Sequence, residues 1–159
     1  MGPLNIRPAG PNDFNTIDDI IHINANDSSR KNGYPFLNNV KDLEKAIESY
    51  QNHFHHCAMM IYLNKDSIGF TGLLYEEGDY EAWVVGPYLN NLYYSTTLIQ
   101  IVLEELLHIS HNSFTSIYLH VPTENEALMQ AAKWLNMDVL EQKEHYFTFV
   151  ASLNNTLTL

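Results

Sequence analysis

This chain of 159 residues carries a formal net charge of −11, from 19 acidic and 8 basic residues. Domains that bind nucleic acid need a basic stripe, so this balance argues against nucleic acid and favours cationic partners such as amines. An apolar content of 45% suffices for one domain with a sizeable core. The sequence has no apolar run of membrane-spanning length, no leader pattern and one cysteine, so we expect a cytoplasmic protein without disulfides or membrane contact.

The N-terminal third of the chain predicts one strand followed by two helices. The strand spans residues 4–8, and a helix opens at Pro11, where an Asn-Asp pair is a suitable cap. Residues 27–38 are dense in turn-forming types and predict a loop. The second helix is predicted over residues 40–54, because apolar side chains recur there at steps of three and four: Val40, Leu43, Ile47, Tyr50 and Phe54.

The middle of the chain changes to the alternating period of strands. Apolar runs over residues 57–63 and 67–75 are joined by a short polar turn and predict a hairpin. A further strand is predicted over residues 79–85. A long helix follows over residues 95–111, and its apolar residues lie on most of its sides, which predicts packing against a sheet.

The C-terminal part predicts a strand, a helix and two closing strands. The first strand spans residues 115–121, and a capping box from Thr123 to Glu126 is predicted to start the helix. The closing strands cover residues 138–140 and 144–150, and residues 151–159 are interpreted as a tail behind a single domain of residues 1–150. Strand–helix–strand passages need crossovers and some parallel pairing, so the fold class is α/β with a mixed sheet and helices on both faces.

The connection between the strand at 79–85 and the long helix predicts an anion site. A strand that passes into a helix through a short loop directs several free backbone N–H groups to one place. The helix dipole adds partial positive charge there. Residues 88–94 form this loop, and the helix opens at Ser95.

Four segments in this order resemble the motifs of one enzyme family: Ile6–Ala9 with Asp13 and Phe14, Ser67–Phe70, Val85–Pro87, and Val121–Asn125. On these segments the chain is similar to the GNAT superfamily of N-acetyltransferases over residues 4–150. The resemblance implies a GNAT-like acyl-CoA N-acyltransferase fold of about seven strands flanked by about four helices.

The resemblance also implies a reaction and a set of site residues. Acetyl-CoA would be the co-substrate, no metal would be needed, and the acetyl group would pass to a primary amine of a small molecule or peptide. Members often dimerise, so a homodimer is a further expectation. The residues implied in acetyl-CoA binding lie on the fourth strand, the loop and the last helix: Val84, Val85, Pro87, Asn90, Asn91, Tyr93, Tyr94, Ser95 and Asn125.

Two departures from the family pattern keep a second hypothesis open. The family binds the diphosphate with a Gln/Arg-x-x-Gly-x-Gly/Ala loop, whose key places here hold Asn90, Tyr93 and Ser95. The tyrosine that protonates the departing thiolate is replaced by Ala132, and Tyr93, Tyr94 or Tyr146 could substitute for it. The alternative to an enzyme is a catalytically silent GNAT-fold module, for binding or regulation, that has lost its CoA chemistry.

The acceptor side has candidates for a base and for substrate contacts. The base is expected on the fourth strand, where Glu81 is the first choice and Asp79 the second; burial beside Trp83 would raise the pKa of such a carboxylate. The alternative is that both are solvated residues at a hairpin edge. Tyr34 and Phe36 lie in the segment that resembles the acceptor lid, where they line a pocket or anchor the loop.

The densest cluster of metal-ligand residue types is His53, His55, His56 and Cys57. A zinc site needs about four ligands from suitably spaced elements, and this cluster is one local run. Solvated histidines near a helix end explain it more simply, so no metal site is predicted.

Overall fold

The computed structural model describes residues 3–153 and places seven strands in one sheet. The strands are β1 (Leu4–Pro8), β2 (Ala58–Leu63), β3 (Asp66–Leu74), β4 (Glu81–Leu89), β5 (Ser116–Pro122), β6 (Asp138–Gln142) and β7 (Tyr146–Ser152). Their spatial order is β1-β2-β3-β4-β5-β7-β6. The helices are α1 (Phe14–Ala25), α2 (Val40–Ser49), α3 (Phe54–Cys57), α4 (Thr96–Ser110) and α5 (Glu126–Trp134), and a 3₁₀ turn (Pro11–Asp13) precedes α1.

The sheet is mixed, as predicted. Neighbouring strands pair antiparallel except for β4 and β5, which pair in parallel. A parallel pair needs a crossover, and α4 supplies it between β4 and β5. The predicted α/β class with a mixed sheet is confirmed.

Helices cover both faces of the sheet, and each face has its own core. One core joins α1 and α2 to β2, β3 and part of β4, with Ile21, Leu43 and Phe70 among its fully buried side chains. The other core joins α4 and α5 to β5 and β7, and includes Val102 and Phe149. Alternate residues of β4 point to opposite cores, so this central strand is buried on both faces.

The predicted single helix over residues 40–54 is wrong. Helix α2 ends at Ser49, and Gln51 has a φ of 55°, which breaks the helical path. Phe54 then starts the short helix α3, where its ring packs on Phe14 with centroids 4.7 Å apart. Cys57, predicted in a strand, is the last residue of α3 and is fully buried.

Two boundaries differ from the sequence prediction for local reasons. Asn125, not Thr123, caps α5, because its side chain accepts the N–H of Leu128. Strand β4 begins at Glu81 and not at Asp79, whose N–H is held in a turn by the carbonyl of Glu76 at 2.9 Å.

Strand β7 continues to Ser152, two residues beyond the predicted end. The rest of the predicted tail, residues 154–159, lies outside the described residues, and so do residues 1 and 2. Between residues 3 and 153, no helix is long and apolar enough to cross a bilayer.

Candidate active site

The strands β4 and β5 separate partway along their length. They pair only from Glu81 to Trp83 on β4 and from Ser116 to Tyr118 on β5, although both strands run on for several residues. Pairing that stops early between parallel strands leaves a wedge open at their carboxyl ends. We call this opening the splay.

Backbone polar groups of β4 face into the splay. The carbonyl of Val85 accepts the hydroxyl of Thr71 at 2.8 Å, so it points back to β3. The next residue, Gly86, has a φ of 82°, which interrupts the regular strand, and its carbonyl accepts a hydrogen bond from Nδ2 of Asn32 at 2.7 Å. Pro87 follows Gly86 in an irregular part of the β3–β4 pairing, and it has no N–H to offer.

Helix α4 begins beside the same end of β4. Its cap is Ser95, whose hydroxyl accepts the N–H of Leu98 at 3.1 Å, and the first-turn N–H groups of Thr96 and Thr97 have no partner within the helix. A shallow cavity of about 270 Å³ lies here, and the rings of Tyr93 and Tyr94 line it without filling it. Open space thus lies beside the cap and first turn of α4, and apolar and aromatic side chains form most of its lining.

The loop before α4 is tied to its surroundings through two asparagines. The N–H of Asn90 donates to the carbonyl of Ile68 at 2.9 Å, which continues the β3–β4 pairing. The side-chain oxygen of Asn91 accepts a hydrogen bond from the guanidinium of Arg30, which also lies 4.1 Å above the centre of the Tyr94 ring. A cation from the α1–α2 loop thus lies over the loop that sequence analysis interpreted as the diphosphate site.

The two tyrosines of this loop point to different places. The Tyr93 hydroxyl lies 3.5 Å from the Asp66 carboxylate, at the β2–β3 turn. The Tyr94 hydroxyl lies 3.4 Å from Oδ1 of Asn125, between the starts of α4 and α5. Burial raises the pKa of Tyr94 to about 12, so its hydroxyl stays protonated at neutral pH. Ala132 is fully buried in the core of α5.

Asn125 connects α5 to the α1–α2 loop. Its side chain is buried, and its Oδ1 accepts the N–H of Leu128 at 3.1 Å to cap the helix. Its Nδ2 donates to the carbonyl of Lys31 at 2.7 Å. One side chain therefore fixes both the start of the last helix and the position of the loop.

The α1–α2 loop enters the splay, which sequence analysis did not predict. Nδ2 of Asn32 donates to the carbonyl of Gly86 on β4 at 2.7 Å. The N–H of Gly33 donates to the carbonyl of His120 on β5 at 3.1 Å, and the N–H of Tyr34 donates to Nδ1 of the same residue at 2.7 Å. The adjacent Asn and Gly in a loop signalled a turn, but nothing local linked them to residues 54 and 87 positions away.

The candidate base Glu81 lies at the paired end of β4 and is exposed, so the expected burial beside Trp83 is wrong. Its carboxylate accepts the hydroxyl of Tyr118 at 2.6 Å, and this hydrogen bond raises the pKa of Tyr118. The ring of Tyr118 packs on that of Trp83 with centroids 5.1 Å apart. Asp79 lies in the preceding turn.

Tyr34 and Phe36 take different positions in the α1–α2 loop. The Tyr34 ring packs on Trp83 with centroids 5.2 Å apart, and its hydroxyl lies 2.7 Å from that of Tyr50, so Tyr34 anchors the loop. Phe36 is 60% exposed and helps to line a cavity of about 200 Å³ with Asn32 and Tyr88. Phe36 is therefore the more exposed of the two, although both line a further open cavity of about 390 Å³.

The histidine cluster forms one exposed turn at α3. The rings of His53, His55 and His56 contact each other, with centroids 4.2 to 5.9 Å apart. In the part of the chain that the structure describes, no three His, Cys, Asp or Glu side chains come together as a metal site would need.

Three solved structures with the same architecture align with nearly the whole length of this chain. A spermidine N-acetyltransferase from Vibrio cholerae, crystallised with CoA and spermine, aligns with a TM-score of 0.72 at 16% identity, over 98% of both chains. The ribosomal L7/L12 alpha-N-protein acetyltransferase RimL, in complex with coenzyme A, aligns with a TM-score of 0.69 at 12% identity, over 95% of this chain and 94% of its own. An acetyltransferase of the GNAT family from Streptococcus pneumoniae aligns with a TM-score of 0.64 at 13% identity, over 95% and 99%.

At the level of sequence, no family model matches the chain, and no curated protein matches it. The likeness is thus one of three-dimensional structure, and it extends over nearly the whole chain. This protein has the fold of the GNAT N-acetyltransferases.

Proposed function

We propose that this protein is an N-acetyltransferase that transfers the acetyl group of acetyl-CoA to a primary amine of a small molecule or peptide. The observation that carries the proposal is the splay between β4 and β5, which opens beside the capped start of α4. An extended acyl-thioester arm can pair with the part of the β4 edge that β5 does not pair with, while the α4 N-terminus binds its diphosphate. Structures of the same fold contain CoA and act on spermidine or on a ribosomal protein.

The residues around the splay fit acetyl-CoA. The edge of β4 at Val84–Pro87 does not pair with β5 and offers backbone partners for the amides of the arm, and the α4 start offers N–H donors beside open space. Arg30 adds positive charge over Asn91 and Tyr94, where the loop lacks the usual glycines. Bound acetyl-CoA supplies an activated thioester, whose carbonyl carbon the acceptor amine attacks.

The chain's own residues would handle two protons. The acceptor amine must lose a proton before it attacks, and we propose the Glu81 carboxylate, hydrogen-bonded to Tyr118, as the group that accepts it through water. The departing thiolate must gain a proton, and Tyr94 is better placed to give it than Tyr93, because its hydroxyl lies next to Asn125. The net negative charge of the chain favours cationic acceptors.

A thermal-shift and calorimetric titration with acetyl-CoA tests this proposal. Ligand at a hundred times its dissociation constant adds about 2.7 kcal/mol to the free energy of unfolding. For a domain of this size that is a rise in melting temperature of about 5 to 10 °C. A flat response at millimolar acetyl-CoA would contradict the proposal and leave a GNAT-shaped binding module. If acetyl-CoA binds, release of free CoA thiol with a panel of polyamines and peptide N-termini identifies the acceptor.

Replacing Glu81 by Gln tests the proposed base. We expect the rate at saturating substrates to fall about 10²-fold at pH 7, with part of the loss recovered at higher pH, where more of the acceptor amine is already deprotonated. The variant Glu77→Gln, in the neighbouring exposed turn, is the matched control and should keep full activity. An unchanged rate in Glu81→Gln would remove this residue from the mechanism.

The proposal includes a cytoplasmic location and a homodimer. The single cysteine, Cys57, is buried, which suits a reducing cytoplasm. Among the strands of residues 3–153, β6 lies at the edge of the sheet and pairs only with β7, and all five of its residues are exposed. An open strand edge can pair with the same edge of a second copy, so we place the homodimer contact there. Light scattering of the purified protein measures the oligomeric state.

A further inference from the structure

Residues Lys31–Tyr34 occupy the splay itself. Asn32 hydrogen-bonds to the Gly86 carbonyl on one wall, and Gly33 and Tyr34 hydrogen-bond to His120 on the other, at 2.7 to 3.1 Å. The segment therefore bridges β4 and β5 by hydrogen bonds where the direct pairing of the two strands stops. We call these four residues the plug.

The plug donates to the Gly86 carbonyl with an amide, which is the kind of donor that the arm of acetyl-CoA would also present. The arm of CoA contains amides, and an amide N–H is the donor that the Gly86 carbonyl needs. In this structure the primary amide of Asn32 supplies that donor. A carbonyl oxygen has two lone pairs, so the competition is for space: the buried Asn32 side chain already lies where the arm would have to approach the Gly86 carbonyl.

The closed plug contains an internal defect. Asn32 is 7% exposed, and its Oδ1 is buried with no hydrogen-bond partner among the described residues. A buried acceptor without a partner costs free energy, so the closed state is less stable than its other hydrogen bonds suggest. A segment held by many contacts but carrying such a defect can be displaced by a ligand that binds the splay more strongly.

The plug fits only because residue 33 is glycine. A Cβ atom there would lie 2.0 Å from Nδ1 and 2.8 Å from the carbonyl oxygen of His120. No side chain fits at such distances, and the atoms in the way belong to a packed ring and to a strand backbone. Gly33→Ala would therefore expel the plug from its contacts with β5.

We propose that the plug is an autoinhibitory segment that closes the splay in the free protein and must leave when acetyl-CoA binds. This inference rests on the proposed function and adds a regulatory step to it. The apparent affinity for acetyl-CoA is then reduced by the small fraction of molecules in which the plug is open.

Calorimetry on Gly33→Ala tests the competition directly. With the plug unable to close, acetyl-CoA should bind about 10-fold tighter or better, which is the gain expected when an open state of about one tenth becomes the only state. 3′-Phospho-ADP has the diphosphate end of the ligand but no arm, so its affinity should stay within about 3-fold. If Gly33→Ala binds acetyl-CoA with the same affinity as the wild type, or more weakly, the plug is not autoinhibitory. The proposed function would still stand.

Two further variants guard against a general effect on folding. Gly10→Ala is the matched control, because a Cβ there meets nothing within 4 Å, and it should bind like the wild type. Asn32→Ala removes the bond to Gly86 without adding atoms and should also tighten acetyl-CoA binding. Melting curves establish that each variant is folded. If neither the wild type nor any variant binds acetyl-CoA, the proposed function is refuted instead.

Hydrogen exchange gives a readout that needs no activity. The N–H groups of Gly33 and Tyr34 are bonded to His120 in the closed state and should exchange slowly in the free protein. Saturating acetyl-CoA should speed exchange in the peptide that contains them, whereas ordinary ligand binding slows exchange. Added protection of this peptide would show that the plug stays in place, and the inference would be wrong.

Discussion

At the scale of single residues, the two tyrosines before α4 differ in what their hydroxyl groups contact, and this difference decides which of them is the better candidate for the acid. Tyr94 reaches Asn125, and Tyr93 reaches the remote turn at Asp66. If Tyr94 protonates the departing thiolate, Tyr94→Phe should lower the turnover rate about 10-fold to 10²-fold, near the lower end for general acids because a thiolate leaves readily. The dissociation constant of acetyl-CoA, measured by calorimetry, should change little.

Tyr93→Phe is the matched control for this prediction, since it removes the same atom one residue away. It should retain the wild-type rate. The reverse outcome, a slow Tyr93→Phe and a normal Tyr94→Phe, would restore Tyr93 as the acid that the sequence suggested. Equal rates in all three proteins would mean that solvent protonates the thiolate.

His120 should make the stability of the protein depend on pH. Burial lowers its pKa below the usual value, with Glu141 acting weakly in the opposite direction, and its Nδ1 accepts the N–H of Tyr34 and has no room for a proton. A lowered folded-state pKa contributes stability above the unfolded-state pKa of about 6.5 and loses it as the pH falls through the folded value. The wild type should therefore lose its stability advantage over His120→Gln between pH 7 and 5.

Urea unfolding of both proteins across this pH range measures the effect. Only the difference between them matters, because the other histidines are the same in both. A difference in the free energy of unfolding that stays constant with pH would show that His120 titrates alike in the folded and unfolded chains.

At the scale of elements, two helices begin with the same kind of cap but in different surroundings. Ser95 caps α4 beside the proposed diphosphate site, and Asn39 caps α2 by accepting the N–H of Asp42 at 2.9 Å. Either residue replaced by Ala should lower the free energy of unfolding by about 1 kcal/mol. Only Ser95→Ala should also weaken acetyl-CoA binding, because it frays the turn whose N–H groups face the ligand.

Denaturant titrations and calorimetry on the two cap variants separate these effects. If Asn39→Ala weakens acetyl-CoA binding as much as Ser95→Ala does, the loss reflects stability alone. In that case the α4 start would not be the diphosphate site.

Elements with strong local signals could be predicted from the sequence, and elements set by distant contacts could not. The cap at Ser95 and the apolar stripe of α4 are local, and that helix lies within one residue of its predicted bounds. The break after Ser49 is different, since the apolar spacing continues through Phe54. The break comes with the left-handed backbone of Gln51 and with the distant contact of Phe54 on Phe14. At α5 two local caps competed, and the contact of Asn125 with Lys31 accompanies the one that is used.

At the scale of the whole molecule, the order of elements predicted the fold, but not the contents of its central wedge. Periodicity and turn residues gave the alternation of strands and helices, and this order is enough to require a mixed sheet. The plug depends on Asn32 meeting Gly86 and on Gly33 meeting His120, which are far apart in sequence. No pattern within a short window encodes such a contact, so the sequence could indicate an acetyl-CoA site but not that a loop already lies in it.

The net charge of the molecule should act oppositely on its two substrates. A chain at −11 repels anionic acetyl-CoA at long range and attracts a cationic amine, while the N-terminus of α4 and Arg30 act only locally. Salt shortens the screening length from about 30 Å at 0.01 M to about 8 Å at 0.15 M, so it removes the long-range field first. In stopped-flow measurements, association of acetyl-CoA should therefore become faster as salt rises over this range, and association of the acceptor amine slower. If both become slower, local cations and not the overall charge govern the approach of acetyl-CoA, and the acidic composition would lose its value as evidence for an amine acceptor.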